Sequence, residues 1–145
     1  MKKSSLAIIA SVAILGSGLV WAKEGVQNPV VKDRMDLMQS IASSAKVLGD
    51  MASGKAAFDP DAASQAIGGL TGNANLITER FEPQEDDPVS EAKPDIWANW
   101  DDFSSKADGL FKAAMAADVS SLEALQASMG NIGGACKACH STYKD

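Results

Sequence analysis

The amino-acid sequence predicts an all-α protein that folds as an antiparallel four-helix bundle. Four segments place apolar residues three and four positions apart, which puts those residues on one face of an α-helix. Three of these segments begin at a proline, which favours the first turn of a helix. No stretch alternates apolar and polar residues in the manner of a half-buried strand. The modest links between the segments favour antiparallel neighbours.

The first two helices each begin at a capping residue followed by proline. Asn28 is the predicted N-cap of the first helix, and Gly54 is suited to end it. Asp59 is the predicted N-cap of the second helix, whose apolar pattern fades near Phe81. Their apolar faces comprise Val31, Met35, Met38, Ile41, Ala42, Ala45, Leu48 and Ala52 in the first helix and Ala63, Ala66, Ile67, Leu70, Ala74 and Ile77 in the second.

An acidic linker, residues 82–93, separates the second helix from the third. Its two prolines oppose a regular element and predict a solvated loop, part of which can wall a binding site. The third helix is predicted to start at Lys93-Pro94-Asp95. Its buried face comprises Ile96, Trp97, Trp100, Phe103, Ala107, Leu110, Phe111 and Ala114.

The fourth helix is predicted to begin at a capping box formed by Ser120 and Glu123. Its apolar residues follow alternating steps of three and four, the spacing of a heptad seam. We expect residues 23–27 and the last few residues to fray, because chain ends are commonly mobile. The seam comprises Leu122, Leu125, Met129, Ile132, Cys136, Cys139 and Tyr143.

The end of this seam carries the sequence Cys136-Lys137-Ala138-Cys139-His140, which holds both cysteines and the single histidine of the chain. C-x-x-C-H is the attachment motif of a c-type haem. In that motif the two sulfurs bond to the porphyrin and the histidine becomes an axial ligand of the iron. The sequence therefore predicts a four-helix bundle with one covalently attached haem c, held by Cys136, Cys139 and His140.

Three other uses of these residues are less consistent with the sequence. A thioredoxin-like C-x-x-C would open a helix after a strand, and no strand pattern precedes this motif. A structural zinc ion needs four ligands, and the chain has only three cysteine and histidine side chains. A disulfide between cysteines three apart on a helix has diverging Cβ vectors.

The first 22 residues resemble a secretory signal peptide. Lys2 and Lys3 precede a short apolar stretch, and Val20-Trp21-Ala22 fits a cleavage site. An uncleaved membrane anchor is the alternative, but the apolar stretch is short for a span of about 20 residues. We therefore expect a periplasmic mature protein, residues 23–145, that forms one domain and is not attached to the membrane after cleavage.

The mature chain is acidic. Without Lys2 and Lys3, 11 basic and 19 acidic residues remain, a net charge of −8. This charge argues against nucleic acid and anionic lipid as partners. It suits a basic protein partner, although surface charge also serves solubility alone.

The second axial ligand of the iron cannot be histidine, because the chain has one histidine. The other side of the iron carries methionine, another side chain, a small ligand or nothing, and a methionine there raises the potential of the haem relative to two histidines. Met129 lies on the same helix as His140 and cannot reach the opposite haem face. Met35 and Met38 lie on the inner face of the first helix, and periodicity does not choose between them or exclude ordinary core packing. The mature methionines are Met35, Met38, Met51, Met115 and Met129.

These motifs make the chain similar to class II c-type cytochromes, the cytochrome c-prime group and its low-spin relatives. The resemblance covers residues 29–145. It is carried by the motif at 136–140 with the following Tyr143, by Lys93-Pro94-Asp95-Ile96-Trp97, and by the turn from Gly54 to Asp59. The acidic linker departs from the pattern. The resemblance implies an exported bacterial four-helix bundle.

The resemblance also implies roles for three further residues. Arg34 occupies the place of an arginine near the haem propionates, and Glu91 that of an acidic residue at the haem edge. Met38 occupies the position that faces the iron, where methionine is the sixth ligand in low-spin members. High-spin members shield an open iron at that position without binding it.

Two functions compete. The first is an electron carrier, with iron ligated by His140 and Met38, that serves redox partner proteins. The second is a five-coordinate protein that binds gases such as nitric oxide or carbon monoxide. A homodimer is a further expectation. We do not expect an enzyme, because peroxidase-type chemistry needs a distal histidine that the chain lacks.

Overall fold

The computed structural model describes residues 25–145, so the predicted signal peptide and its cleavage site lie outside the described residues. Within this range the chain is helical, with one isolated antiparallel bridge between Ala92 and Lys144. No helix among the described residues is long and apolar enough to cross a membrane. The six helices are α1 (Pro29–Ala52), α2 (Pro60–Ala74), α3 (Ile77–Phe81), α4 (Asp95–Ala98), α5 (Trp100–Met115) and α6 (Leu122–Tyr143).

The four long helices form the predicted antiparallel bundle. α1 packs against α2 and α6, and α5 packs against the same two helices. The amide of Gln126 donates to the carbonyl of Ala52 at 2.9 Å, which places the start of α6 beside the end of α1. At the other end of α6, the ring of Tyr143 lies 5.5 Å from that of Phe103, near the start of α5. The innermost side chains are Val31, Leu48, Leu70, Ile96, Leu125 and Ile132.

The predicted starts of α1 and α2 and the predicted end of α1 are confirmed. The side chain of Asn28 accepts hydrogen bonds from the backbone amides of Val30 and Val31. The Asp59 carboxylate caps α2 in the same way. Gly54 follows α1 with a φ of 76°, a left-handed conformation that glycine adopts without steric cost.

Two of the predicted helices are each divided. The second ends at Ala74 and resumes as α3, because the amide of Leu76 bonds to the carbonyl of Asn73 in a tighter turn. The third is interrupted at Asn99, whose φ of −128° and ψ of 47° leave the helical region. These breaks redirect the chain without changing the bundle.

The predicted capping box of the fourth helix is wrong by one residue. Ser121 is the N-cap, and its hydroxyl accepts from the amide of Ala124 at 3.2 Å. The amide of Ser120 donates instead to the carboxylate of Asp118, so Ser120 belongs to the preceding turn. Ser121, with extended φ and ψ of −145° and 166°, then begins the helix.

The predicted solvated linker is fixed at its first end to the start of α1. We call residues 85–93 the strap. Asp87 is buried, and its carboxylate accepts backbone hydrogen bonds from Gln27, Asn28 and Val89 at 2.8, 2.9 and 3.0 Å. The expectation that residues up to 27 fray is therefore wrong for residue 27, because a buried carboxylate holds its amide.

The second end of the strap is fixed to the C-terminus. The amide of Lys93 donates to the carbonyl of Tyr143 at 3.0 Å, and the amide of Asp145 donates to the carbonyl of Glu91 at 2.9 Å. The Lys144 ammonium lies 2.7 Å from the Glu91 carboxylate. The last residues are thus paired with the strap rather than frayed.

Candidate haem-binding site

A cavity of about 530 Å³ lies at the end of the bundle where α1 begins and α6 ends. This volume falls within the range of about 300–1,000 Å³ that is usual for small-molecule and cofactor pockets. The strap closes one side through residues 89–92, so part of the linker that the sequence predicts to be a solvated loop forms a wall of the cavity instead. The helices contribute mainly Val31, Arg34, Met35, Met38, Ile96, Phe103, Cys139, His140 and Tyr143.

The C-x-x-C-H motif forms part of this cavity. Cys139 and His140 line it, while Cys136 lies one turn earlier on α6, partly buried against the core. The two cysteines are not joined by a disulfide, and burial raises the pKa of each thiol. His140 is more exposed, and burial together with the positive charge of Lys144 lowers its pKa. A lowered pKa favours the neutral imidazole, which is the form that ligates a metal.

Arg34 is buried beside the cavity with part of its hydrogen-bonding capacity unused. Its side chain is 2% exposed, and one terminal nitrogen donates to the Glu85 carbonyl at 2.5 Å. The other two nitrogens, Nε and Nη1, have no hydrogen-bond partner. Burial lowers the pKa of Arg34, while the charges of Asp86 and Glu85 oppose that shift. Buried donors of this kind call for an acceptor, and a haem propionate supplies one.

Two methionines line the cavity. Met35 and Met38 both face it, which is consistent with their spacing of three residues on α1. Met38 is partly buried against the core, whereas Met35 is 42% exposed. Of the other methionines among the described residues, Met51 is buried in the core and Met115 is exposed. The remaining one, Met129, packs over Gly49 of α1.

Glu91 lines the cavity from the strap. Its carboxylate pairs with Lys144, which follows His140 by four residues, and both side chains line the cavity. The structure thus brings five of the six predicted site residues to one cavity, and it places Cys136 next to them on the same helix.

Sequence reasoning missed a group of side chains that supports this site. Trp97 lies over the guanidinium of Arg34 at 5.2 Å, and Phe81 lies over it at 5.3 Å. The hydroxyl of Tyr143 donates to the Asp102 carboxylate at 2.5 Å, which raises the pKa of Tyr143 to about 12. The aromatic spacing of the third helix signalled burial, but not these pairings.

The residues present fit a haem c. They combine two thiols one turn apart, a histidine able to be neutral, a mostly apolar cavity and a buried cation with unused donors. The comparison with known families agrees, since residues 29–144 match the model of the family described as cytochrome c′. The chain belongs to the cytochrome c′ family.

Individual relatives support this assignment. The chain is 34% identical over 125 residues to cytochrome c-554 of Cereibacter sphaeroides, covering 79% of this chain and 80% of the relative. It is 34% identical over 115 residues to a cytochrome c-556 of Agrobacterium tumefaciens, covering 77% and 90%.

Solved structures show the same bundle. Cytochrome c′ from Rubrivivax gelatinosus has a TM-score of 0.72 at 30% identity, covering 80% of this chain and 94% of that one. The NMR-validated structural model of oxidised cytochrome c556 from R. palustris has a TM-score of 0.74 at 27% identity, covering 82% of this chain and 98% of that one. Members of the family bind one covalent haem c, so this chain is a haem protein.

Proposed function

We propose that the mature protein is a periplasmic electron carrier. One haem c is attached through Cys136 and Cys139, and its iron is ligated by His140 and Met38. The observation that carries this proposal is the position of Cys139 and His140 at a cavity that also receives two methionine side chains from α1. The comparisons support a haem protein that carries electrons or binds gases, and the ligand chemistry favours the first.

The side chains of the cavity suit reversible one-electron transfer by the haem, which is the chemistry the bound group supplies. A neutral imidazole and a thioether are both good ligands for ferrous iron, and methionine raises the potential. The apolar walls lower the local dielectric, and the strap covers one side of the cavity. No second histidine exists to move protons, and the relatives are cytochromes rather than enzymes.

Met38 is the better candidate for the sixth ligand. It lies one turn after Arg34 on α1, and both side chains line the cavity. It is also partly buried against the core, whereas Met35 is 42% exposed. A ligand held by packing loses less freedom on binding than one in solvent.

A matched pair of variants tests the ligand. Met38→Ala is expected to convert the ferric absorption spectrum from low spin to high spin and to lower the midpoint potential. Met35→Ala, on the same face of α1, is expected to keep the low-spin spectrum. Exchange of the two phenotypes would make Met35 the ligand. Unchanged spectra in both variants would contradict methionine ligation.

The second candidate function is binding of a small gas at an open sixth site. One relative in the structural comparison is the nitric oxide complex of a mutant cytochrome c′ from Alcaligenes xylosoxidans, with a TM-score of 0.71 at 27% identity. Mixing the reduced protein with carbon monoxide separates the candidates. A carrier ligated by Met38 is expected to bind slowly, after the thioether leaves. Rapid binding without that step would favour the gas-binding function.

Export is part of the same proposal. Residues 1–22 are proposed to be removed as a signal peptide, so that residues 23–145 form the mature domain. The family is typically periplasmic, which supports this assignment. The intact mass of the protein purified from the periplasm is expected to correspond to cleavage after Ala22, and a mass that includes the leader would contradict it. We also propose a homodimer, which sedimentation of the same sample tests: the mass of a single chain would contradict it.

A further inference from the structure

We propose that Trp97 is a positioning residue, which holds the guanidinium of Arg34 toward the cavity and thereby keeps the reduction potential of the haem high. This inference rests on the proposed function, since it concerns a haem in the cavity. It adds a role to a residue that neither binds the haem through its own polar group nor lines the cavity.

The guanidinium of Arg34 lies close to two aromatic rings that belong to different helices. The guanidinium carbon lies 5.2 Å from the ring centre of Trp97 in α4 and 5.3 Å from that of Phe81 in α3. Both distances are within the reach of a cation–π attraction. The two rings are themselves linked, because the indole N–H of Trp97 donates to the carbonyl of Phe81 at 2.8 Å. Three helices thus converge on one cation.

The rings act against an opposing attraction from the strap. The carboxylates of Glu85 and Asp86 attract the Arg34 charge, and the Glu85 carbonyl already accepts one of its N–H groups. An arginine side chain is long and has many rotamers, so a small bias decides where its head group lies. Without the Trp97 ring, the guanidinium is free to turn toward the two carboxylates and away from the cavity that Arg34 lines.

The position of this charge matters for the redox state. A positive charge near the iron stabilises the more electron-rich ferrous form, by Coulomb attraction in a partly desolvated site. A guanidinium paired with a strap carboxylate is neutralised and farther from the haem. The midpoint potential therefore reports the position of Arg34, whereas a loss of packing alone lowers stability without selecting a redox state.

Spectroelectrochemical titration of the haem-loaded protein tests the inference through a double-mutant cycle. Trp97→Leu and Trp97→Phe are each made in the wild type and in an Arg34→Gln background. Trp97→Leu is expected to lower the midpoint potential by most of the shift that Arg34→Gln causes. Trp97→Phe keeps a ring but loses the N–H donor, so its shift is expected to be smaller. Neither change is expected to shift the potential further in the Arg34→Gln background.

Trp100→Leu is the matched control, because Trp100 stacks on Phe103 at 5.6 Å and makes no cation–π contact with Arg34. It is expected to lower stability while the potential stays unchanged. An unchanged potential in both Trp97 variants, or an equal shift in the Arg34→Gln background, would overturn the inference. If Trp97→Leu does not fold, Trp97→Phe decides by the same comparison. Failure of the proposed function would be seen separately, as a high-spin ferric spectrum and rapid carbon monoxide binding in the purified wild type.

Discussion

Phe103 offers the sharpest test of how the bundle supports the cavity. It is 2% exposed and lines the cavity. Its ring centre lies 5.2 Å from Phe81, 5.6 Å from Trp100 and 5.5 Å from Tyr143. Truncation to alanine removes a core side chain at a site where the neighbouring rings are held by other contacts. We expect Phe103→Ala to lower the free energy of unfolding by about 3–5 kcal/mol.

Phe103→Leu separates the cost of lost side-chain volume from the cost of the lost aromatic pairs. Leucine keeps most of the volume, and such swaps cost below about 1.5 kcal/mol before the ring pairs are considered. Each aromatic pair adds about 0.5–1.5 kcal/mol, and neighbouring pairs are not additive. We therefore expect a loss of about 1–3 kcal/mol for leucine, clearly smaller than for alanine.

Denaturant unfolding combined with the haem absorption spectrum is the assay. Leu48→Ala is the matched control, since Leu48 is fully buried on α1 but lies ten residues, or about 15 Å, beyond Met38. It is expected to cost about 2–5 kcal/mol and to leave the haem bands in place. Phe103→Ala is expected to shift them, because a wall of the cavity is lost. A cost below about 1 kcal/mol for Phe103→Ala, or equal band shifts in both variants, would refute this reasoning.

Three further predictions concern the strap and the end of α6. Backbone amides, foremost that of Asn28, hold the pKa of Asp87 below its ordinary value of 3.8. These hydrogen bonds therefore stabilise the fold above about pH 4 and are lost as the pH falls toward the lowered pKa. The free energy of unfolding of Asp87→Asn should therefore fall less steeply than that of the wild type as the pH is lowered below about 4. Deletion of residues 144–145 removes the hydrogen bond from the Asp145 amide to the Glu91 carbonyl and the ion pair of Lys144 with Glu91, and it should speed amide hydrogen exchange in the strap; unchanged exchange would contradict this. Tyr143 is the single tyrosine of the chain, and its hydrogen bond to Asp102 raises its pKa to about 12. That bond therefore stabilises the fold below about pH 10 and is lost as the pH rises toward 12. In Asp102→Asn, the pKa of Tyr143 measured by NMR titration should return toward 10.

Local chemistry allowed much of the fold to be predicted from the sequence. The caps at Asn28 and Asp59 and the stop at Gly54 depend on a few neighbouring atoms, so the residue types are informative. The seam of α6 was predicted because a core-facing stripe repeats along one helix, and Leu125 and Ile132 are indeed buried. The C-x-x-C-H motif could also be identified, because all its groups lie close together in the sequence, within about one and a half turns of one helix.

Features that depend on distant partners could not be predicted. The burial of Asp87 requires amides that lie some sixty residues earlier in the chain. In the sequence it is one of several acidic residues beside prolines, a composition typical of a solvated loop. The contacts of Arg34 with Phe81 and Trp97 likewise join three helices, and no spacing rule links Arg34 to Trp97. Helix α6 is capped by Ser121 rather than by Ser120, because the amide of Ser120 donates to the carboxylate of Asp118 in the preceding turn.

The central claim is that Cys136 and Cys139 hold a haem covalently at the end of α6. The most direct measurement is the mass of the denatured, acid-extracted protein, compared with that of the Cys136→Ser/Cys139→Ser variant. The wild type is expected to retain one haem through extraction, with a mass equal to the polypeptide plus one haem. The variant is expected to have the polypeptide mass alone. A wild-type chain that releases its haem into the organic phase and has the bare polypeptide mass would contradict the account.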